Sequence, residues 1–575
     1  MNTRIAALGA VLALAAGSSY VSIPVAAQSK TAKPATAQKV DEEYTRPIKQ
    51  NLQDPRITTE LVDHLPASDT VPSPLKLLGR AVGAPGELTY AKDIYRYYEA
   101  LAKAAPTRAK YWKVGATEEG RDIVLLAIGD ENAIKNLDKY RDMLGELTDP
   151  RKTTEARAQQ QLHTAKPIYY AISGMHSPET GGPEMLIELA YRLIVEETPF
   201  IQNIRNNVIT LITPVIEVDG REKQVDTYYF NKKRAPGDAR LPLMYWGKYV
   251  QHDNNRDGMG QFLKLTQAVT RATIEWRPTV IHDLHEAQTY LYSSTGAGPY
   301  NNDIDPIVVS EWWMLAQNDV MEMTKRGVPG VWTYGFYDGW APNYMFFIAH
   351  SHNSIGRFYE VQSYGPDPYT VTPGATTTSK EWFRPNPPLA TIKWGPRNNT
   401  NIQESALLFS LSHVAKTKDL YLENYWLSAT SQVNGMPKIG NAPLPYKKTA
   451  EFPNLAFVDS SDDIRGGMGV EGLVELARFV QEGGTLITEG STATIFPEYG
   501  ITSGVTVEEP AQLFVRGSIP RAKITDMKSP ISYGYGSADL PVYFNQSPVL
   551  NASGGGRGER PPADDLAQMR QMAQQ

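Results

Sequence analysis

The chain of 575 residues has no cysteine. That single absence excludes disulfides, thiolate nucleophiles, iron–sulfur clusters and Cys-based zinc sites. Histidine is scarce, nine residues in all, so any metal must be held by a few imidazoles together with carboxylates. Charge of one sign is lacking too. Fifty-seven Lys+Arg against 63 Asp+Glu leave a net charge of −6, which gives no support for a nucleic-acid or polybasic membrane role. There is no internal repeat, and after the first residues no apolar run suited to crossing a bilayer. What is present is 41% hydrophobic and 21% charged residues, the balance of a globular protein, with 31 Tyr for a large packed or ligand-binding surface. A single core stops growing near ~250–300 residues, so more than one domain is expected.

At the N-terminus, Arg4 precedes the apolar run Ile5 to Ala16, and Val25-Ala26-Ala27 places small residues before Gln28. Residues 1–27 read as a cleaved secretory signal, because the run is too short to span ~30 Å of hydrocarbon as a helix. The expected destination is periplasmic or secreted, and with no Cys behind the signal the protein is not a lipoprotein. Residues 28–75 read as an N-terminal arm or linker. Residues 551–575, with Gly554-Gly555-Gly556 and Pro561-Pro562, read as a flexible tail.

Between these ends, apolar recurrence at three and four residues predicts helices over Leu88 to Ala105 and Glu184 to Glu196. Short Ile-, Val- and Tyr-rich runs predict strands at Ile123 to Ile128, Pro167 to Ser173, Val208 to Val215 and Thr279 to Leu284. Strands alternating with helices imply an α/β domain over residues 76–430, a mixed, mostly parallel sheet with helices on both faces. A smaller α/β unit is expected over residues 440–550. Its predicted elements are a strand at Leu455 to Val458, a helix at Val470 to Val480 stopped by Gly483-Gly484, and a strand at Thr485 to Thr488.

Four clusters can carry chemistry. His176-Ser177-Pro178-Glu179 lies just past a strand end, where groups converge on a crevice, and supplies two ligand types that zinc accepts. Alone an H-x-x-E is common by chance and needs a third ligand. Thr279 to His285 is a strand ending in polar groups, with Ile281, Asp283 and His285 on one face and His282 and Leu284 on the other. His285, nearest the strand end, is the preferred ligand and His282 its competitor. Asp253-Asn254-Asn255-Arg256 offers an Arg fork and an adjacent amide to grip a carboxylate. In Arg357-Phe358-Tyr359-Glu360, a Glu among aromatics should be desolvated into a general base near neutral pH.

In this order and spacing the four clusters resemble the zinc carboxypeptidase family, the M14 peptidases, over Leu88 to Thr430. Gly115 to Asp122, a turn leading into a strand, fits as well. The resemblance implies one Zn²⁺ per chain held by His176, Glu179 and His285, with Asp253 orienting a ligating imidazole. It implies that Glu360 takes a proton from a zinc-bound water and passes it to the leaving amine. Asn255 and Arg256 would bind the free C-terminal carboxylate of a peptide substrate, and Arg234 would stabilise the oxyanion. Tyr337 would close over the substrate, with Tyr334 and Tyr344 as rivals. The alternatives are a zinc amidase acting on peptidoglycan stem peptides, or a non-catalytic peptide-binding protein on the same fold. Phe479 to Ile487 is similar to class I glutamine amidotransferase-like, flavodoxin-related modules. Such a glutaminase needs a Cys nucleophile, so this unit is expected to be non-catalytic.

Overall fold

The computed structural model describes residues 38–242, 253–287, 292–295, 304–334, 341–362, 365–373, 391–434, 469–488, 493–498, 502, 504–508, 518–529, 532–544 and 549–552. The apolar runs become strands of one eight-stranded sheet: β1 (Ala109–Ala116), β2 (Asp122–Ile128), β3 (Ile168–Ser173), β4 (Ile209–Thr213), β5 (Val280–Ala287), β6 (Tyr292–Thr295), β7 (Val331–Tyr334) and β8 (Ile355–Gln362). The order is β1-β2-β4-β3-β5-β8-β6-β7. The central ladders β4–β3, β3–β5 and β5–β8 are parallel, as is β6–β7, whereas β1–β2, β2–β4 and β6–β8 are antiparallel. Every residue of β3 and β4 is buried. Since neighbouring side chains on a strand face opposite ways, both faces of the sheet are covered. The fold is α/β with a mixed, mostly parallel sheet. The predicted turn at Gly115 to Asp122 is the β1–β2 hairpin connection.

From β3 the chain moves to β4 on one side, then crosses back to β5 on the other. Such a reversal opens a crevice at the carboxyl ends of the two strands. His176 follows the end of β3, and His285 lies near the end of β5.

Residues from Lys39 to Leu75, read from composition as arm or linker, are built into this domain. Asp41 caps the helix Glu42–Asn51 by accepting from Tyr44 N at 3.0 Å. Tyr44 is fully buried, donates to Glu188 at 2.9 Å, and accepts from Val82 N at 3.0 Å. The helix Pro396–Lys416 is buried almost all round despite its polar sequence. Many of its polar groups are paired inside the protein: Arg397 forks onto Glu188 at 2.7 and 3.0 Å, Ser405 meets Thr59 at 2.8 Å, and Ser410 donates to Asp319 at 2.8 Å.

In the C-terminal region the predicted helix is present as Gly469–Gln481. The predicted strand at Leu455 to Val458 lies outside the described residues. The strand expected at Thr485 to Thr488 does not form: the backbone there is irregular and Ile487 is exposed. A strand needs a ladder partner, and the described residues offer this stretch none. Among the described residues the β-structure beyond it comprises two short antiparallel ladders, Val505–Glu508 with Val549–Ala552 and Arg521–Lys523 with Asp539–Pro541, and an isolated bridge between Ser518 and Phe544.

Candidate metal centre

Gly174, at φ +65°, turns the chain out of β3. A Cβ there would press on Pro183 and Val215 at 3.2 Å in a conformation that side chains resist, so glycine suits the turn. The loop then carries His176 and Glu179, one turn apart, closed by a Glu179 N to His176 O bond of 3.0 Å. It ends at the helix Gly181–Val195. Strand alternation on β5 puts Asp283 and His285 on one face. Asp253 caps the 3₁₀ turn Asn254–Arg256 by accepting from Asn255 N at 2.8 Å.

These elements bring one ligand atom each of His176, Glu179 and His285 within 4.8 Å of one another. His176 Nδ1 lies 2.6 Å from Glu179 Oε1, and His285 Nδ1 lies 3.0 Å from Glu179 Oε2. Each ring turns its other nitrogen to a carboxylate: His176 Nε2 to Asp253 at 3.0 Å, His285 Nε2 to Asp283 at 2.8 Å. Asn255 Nδ2 is 3.2 Å from the same His285 nitrogen. Carboxylates on the Nε2 atoms fix ring orientation and turn the Nδ1 atoms toward Glu179, the way metal-ligating histidines are held. Two imidazole nitrogens and one carboxylate oxygen, largely buried, fit zinc and leave a position open for water or substrate.

The electrostatics agree with the geometry. Burial alone would push His176 down, but Glu179 and Asp253 outweigh it and raise it to about 9. His285 is raised well above its ordinary value, the pull of Asp283 and Glu179 overcoming burial. Burial would raise Glu179 and Asp253, yet the two imidazoles lower Glu179 to about 2, and His176 lowers Asp253 to about 2. The carboxylates are thus held ionised, and the imidazoles bind protons that a metal ion would displace.

Glu360 is the register partner of His285 across the β5–β8 ladder. Its Oε2 is buried and takes no hydrogen bond from the described residues. Desolvation raises Glu360 to about 8, against the opposing pull of His285. Arg256 is half-exposed, its guanidinium 4.7 Å above the Tyr344 ring and its Nη1 donating to Asn255 O at 2.9 Å. Asn255 Oδ1 accepts from Met345 N at 2.8 Å, fastening this turn to the segment before β8.

The structure thus brings together His176, Glu179, His285, Asp253, Asn255 and Glu360, with Arg256 beside Asn255. It does not bring Arg234 to them: that side chain sits over Phe230 of the preceding helix and pairs with Asp238 at 3.7 Å. Tyr337 and the side chain of Tyr334 lie outside the described residues, and Tyr344 is the tyrosine found beside Arg256. His282 turns away from the ligand cluster, bonded to Tyr169 at 2.7 Å and edge-on to Tyr359. Sequence reasoning assigned no role to Asp283, although its place on the His285 face was a usable signal. It missed Glu286, whose polar partners come from distant parts of the chain.

Residues 94–309 match the zinc carboxypeptidase family, peptidase M14. That stretch contains His176, Glu179, Asp253, Asn255, Arg256 and His285, and stops short of Glu360. The chain is similar in structure to a metallo-carboxypeptidase from Burkholderia cenocepacia, at 14% identity and TM-score 0.37, covering 57% of this chain and 70% of that one. It is also similar to the carboxypeptidase A from Helicoverpa armigera, at 15% identity and TM-score 0.36, covering 58% and 75%. A metallo-carboxypeptidase from Pseudomonas aeruginosa aligns at 13% identity and TM-score 0.35, over 57% and 69%. No curated protein matches the chain. Among the described residues no helix is long and apolar enough to cross a membrane.

Proposed function

We propose that the protein is a zinc-dependent carboxypeptidase that removes the C-terminal residue of peptides. The observation that carries the reading is the convergence of His176, Glu179 and His285 beside a buried Glu360 carboxyl oxygen that takes no hydrogen bond from the described residues. His176, Glu179 and His285 would hold one zinc ion, with Asp253 and Asp283 keeping the imidazoles turned toward it. A zinc ion held there would supply Lewis acidity to polarise the scissile carbonyl and acidify a water molecule. Glu360, raised to about 8 by burial, has the affinity for a proton that a general base needs near neutral pH. It would take the proton of the attacking water and return it to the leaving amine. The Arg256 fork and the Asn255 amide would bind the substrate's free carboxylate, which restricts cleavage to the last peptide bond. The apolar segment near Met1 suggests that the enzyme acts after export.

The test is Glu360→Gln in zinc-loaded enzyme, assayed by mass spectrometry on a peptide mixture. Loss of a general base should lower kcat by ~10²–10⁴-fold while peptide binding persists. Wild-type activity in that variant would refute the mechanism. Release of internal fragments rather than single C-terminal residues would refute the substrate class.

A further inference from the structure

Glu286, next to His285, is buried and faces the other side of β5. Its Oε1 is the meeting point of three donors: Gly181 N at 2.9 Å, Asn399 Nδ2 at 2.7 Å and Gln403 Nε2 at 3.4 Å. Gly181 opens the helix behind the metal loop, and Asn399 and Gln403 belong to the helix Pro396–Lys416. The backbone N–H of Glu286 donates to Glu179 Oε2 at 3.1 Å. One residue therefore holds the C-terminal end of the Glu179 loop at two points: its carboxylate fixes Gly181, two residues past the ligand, and its amide fixes the ligand oxygen itself. The space is closed, since a Cβ on Gly181 would overlap the oxygens of Asn399 and Glu286. The same web reaches β8. Asn399 donates to Gln362 O at 3.1 Å, Gln403 donates to Asn399 Oδ1 at 2.6 Å, and Tyr359, the neighbour of Glu360, donates to Gln403 at 3.0 Å.

We infer that Glu286 is a positioning residue: with Asn399 and Gln403 it locks the Glu179 loop against β5 and β8, setting the distance between the ligand carboxylate and the general base. The inference rests on the reading of His176, Glu179 and His285 as a zinc site. Buried partners that orient metal ligands commonly change affinity by ~10–100-fold when removed.

The experiment measures zinc dissociation constants by competition with a chromogenic chelator on the full chain, with thermal unfolding of the metal-free protein in parallel. Glu286→Ala should weaken zinc binding by ~10–100-fold. Glu286→Gln keeps an acceptor oxygen and should restore most of that loss. Asn399→Asp sets a second carboxylate against Glu286 and should also weaken zinc, which keeps the test available if Glu286→Ala does not fold. Leu411→Ala, a buried substitution on the same helix, should lower the unfolding temperature without moving zinc affinity. Zinc affinity within twofold of wild type in both Glu286→Ala and Asn399→Asp would overturn the inference. So would an equal loss in Leu411→Ala, because it would reduce the effect to general destabilisation. A wild-type protein that binds no zinc would instead remove the metal-site reading, and this inference with it.

Discussion

Glu311 offers a test of the interior electrostatics that is independent of the metal site. It lies on the helix Pro306–Lys325, is 4% exposed, and accepts one hydrogen bond, from Asn424 Nδ2 at 2.9 Å. Desolvation raises it from 4.5 to about 8, with Asn424 pulling the other way and Asp305 adding repulsion. A raised carboxyl binds its proton more tightly in the folded than in the unfolded chain. The folded state therefore loses stability as pH rises from 4.5 toward 8, and the penalty is constant above that window. At 1.36 kcal/mol per unit, the penalty is about 3 kcal/mol at pH 7 and about 5 at pH 9. Glu311→Gln cannot ionise and keeps an oxygen for Asn424, so it should be stabilised by those amounts relative to wild type. Unfolding entropy of ~2.1 cal/mol/K per residue over roughly 400 residues converts this to about 4 °C in Tm at pH 7, about 6 °C at pH 9 and about 1 °C at pH 5. The assay is paired thermal unfolding of wild type and variant at equal scan rate across pH 5–9. Parallel Tm curves, or a difference that grows toward acid, would refute the argument.

Two other substitutions probe the substrate clamp and the N-terminal segment. Arg256→Ala should reduce kcat/KM for peptides with a free C-terminus by ~10–150-fold, the ~1.5–3 kcal/mol of a charged hydrogen bond, and leave binding of C-terminal amides unchanged. Equal losses for both substrates would show that Arg256 does not read the carboxylate. Tyr44→Phe removes the hydroxyl shared by Glu188 and Val82 N and should destabilise the fold by about 1–3 kcal/mol in chemical denaturation, since both partners are buried. An unchanged midpoint would mean that water replaces the hydroxyl.

The legible part of the fold is the part governed by local periodicity. The runs at Ile123 to Ile128 and Pro167 to Ser173 are apolar because both of their faces are covered, and they are strands within a residue of the expected bounds. His285 could be chosen over His282 because it stands nearest the strand end, with alternation sending the two side chains to opposite faces, and the structure gives His282 to Tyr169 instead. Arg234 could not be judged from spacing, because where its helix points is a tertiary property. Thr485 to Thr488 has strand composition, but β structure is completed only by a partner edge, which a local reading does not supply.

The helix Pro396–Lys416 shows why composition misjudged residues 39–75. The helix is buried almost throughout and residues 39–75 are partly so, and polar groups of the two meet inside the protein. Carbonyls of the N-terminal segment accept from buried side chains of the domain: Ile57 O from Asn401 at 3.2 Å, His64 O from Arg192 at 2.7 Å and Pro66 O from Tyr191 at 2.9 Å. Arg192 is fully buried and is also held by Glu196 and Glu404 at 2.9 and 3.0 Å. Taking the segment away would leave an amide, a guanidinium and a phenol short of acceptors inside the protein, at ~1–3 kcal/mol for each neutral group and more for the charge. Those three bonds tie the segment from Lys39 onward to buried side chains of the domain.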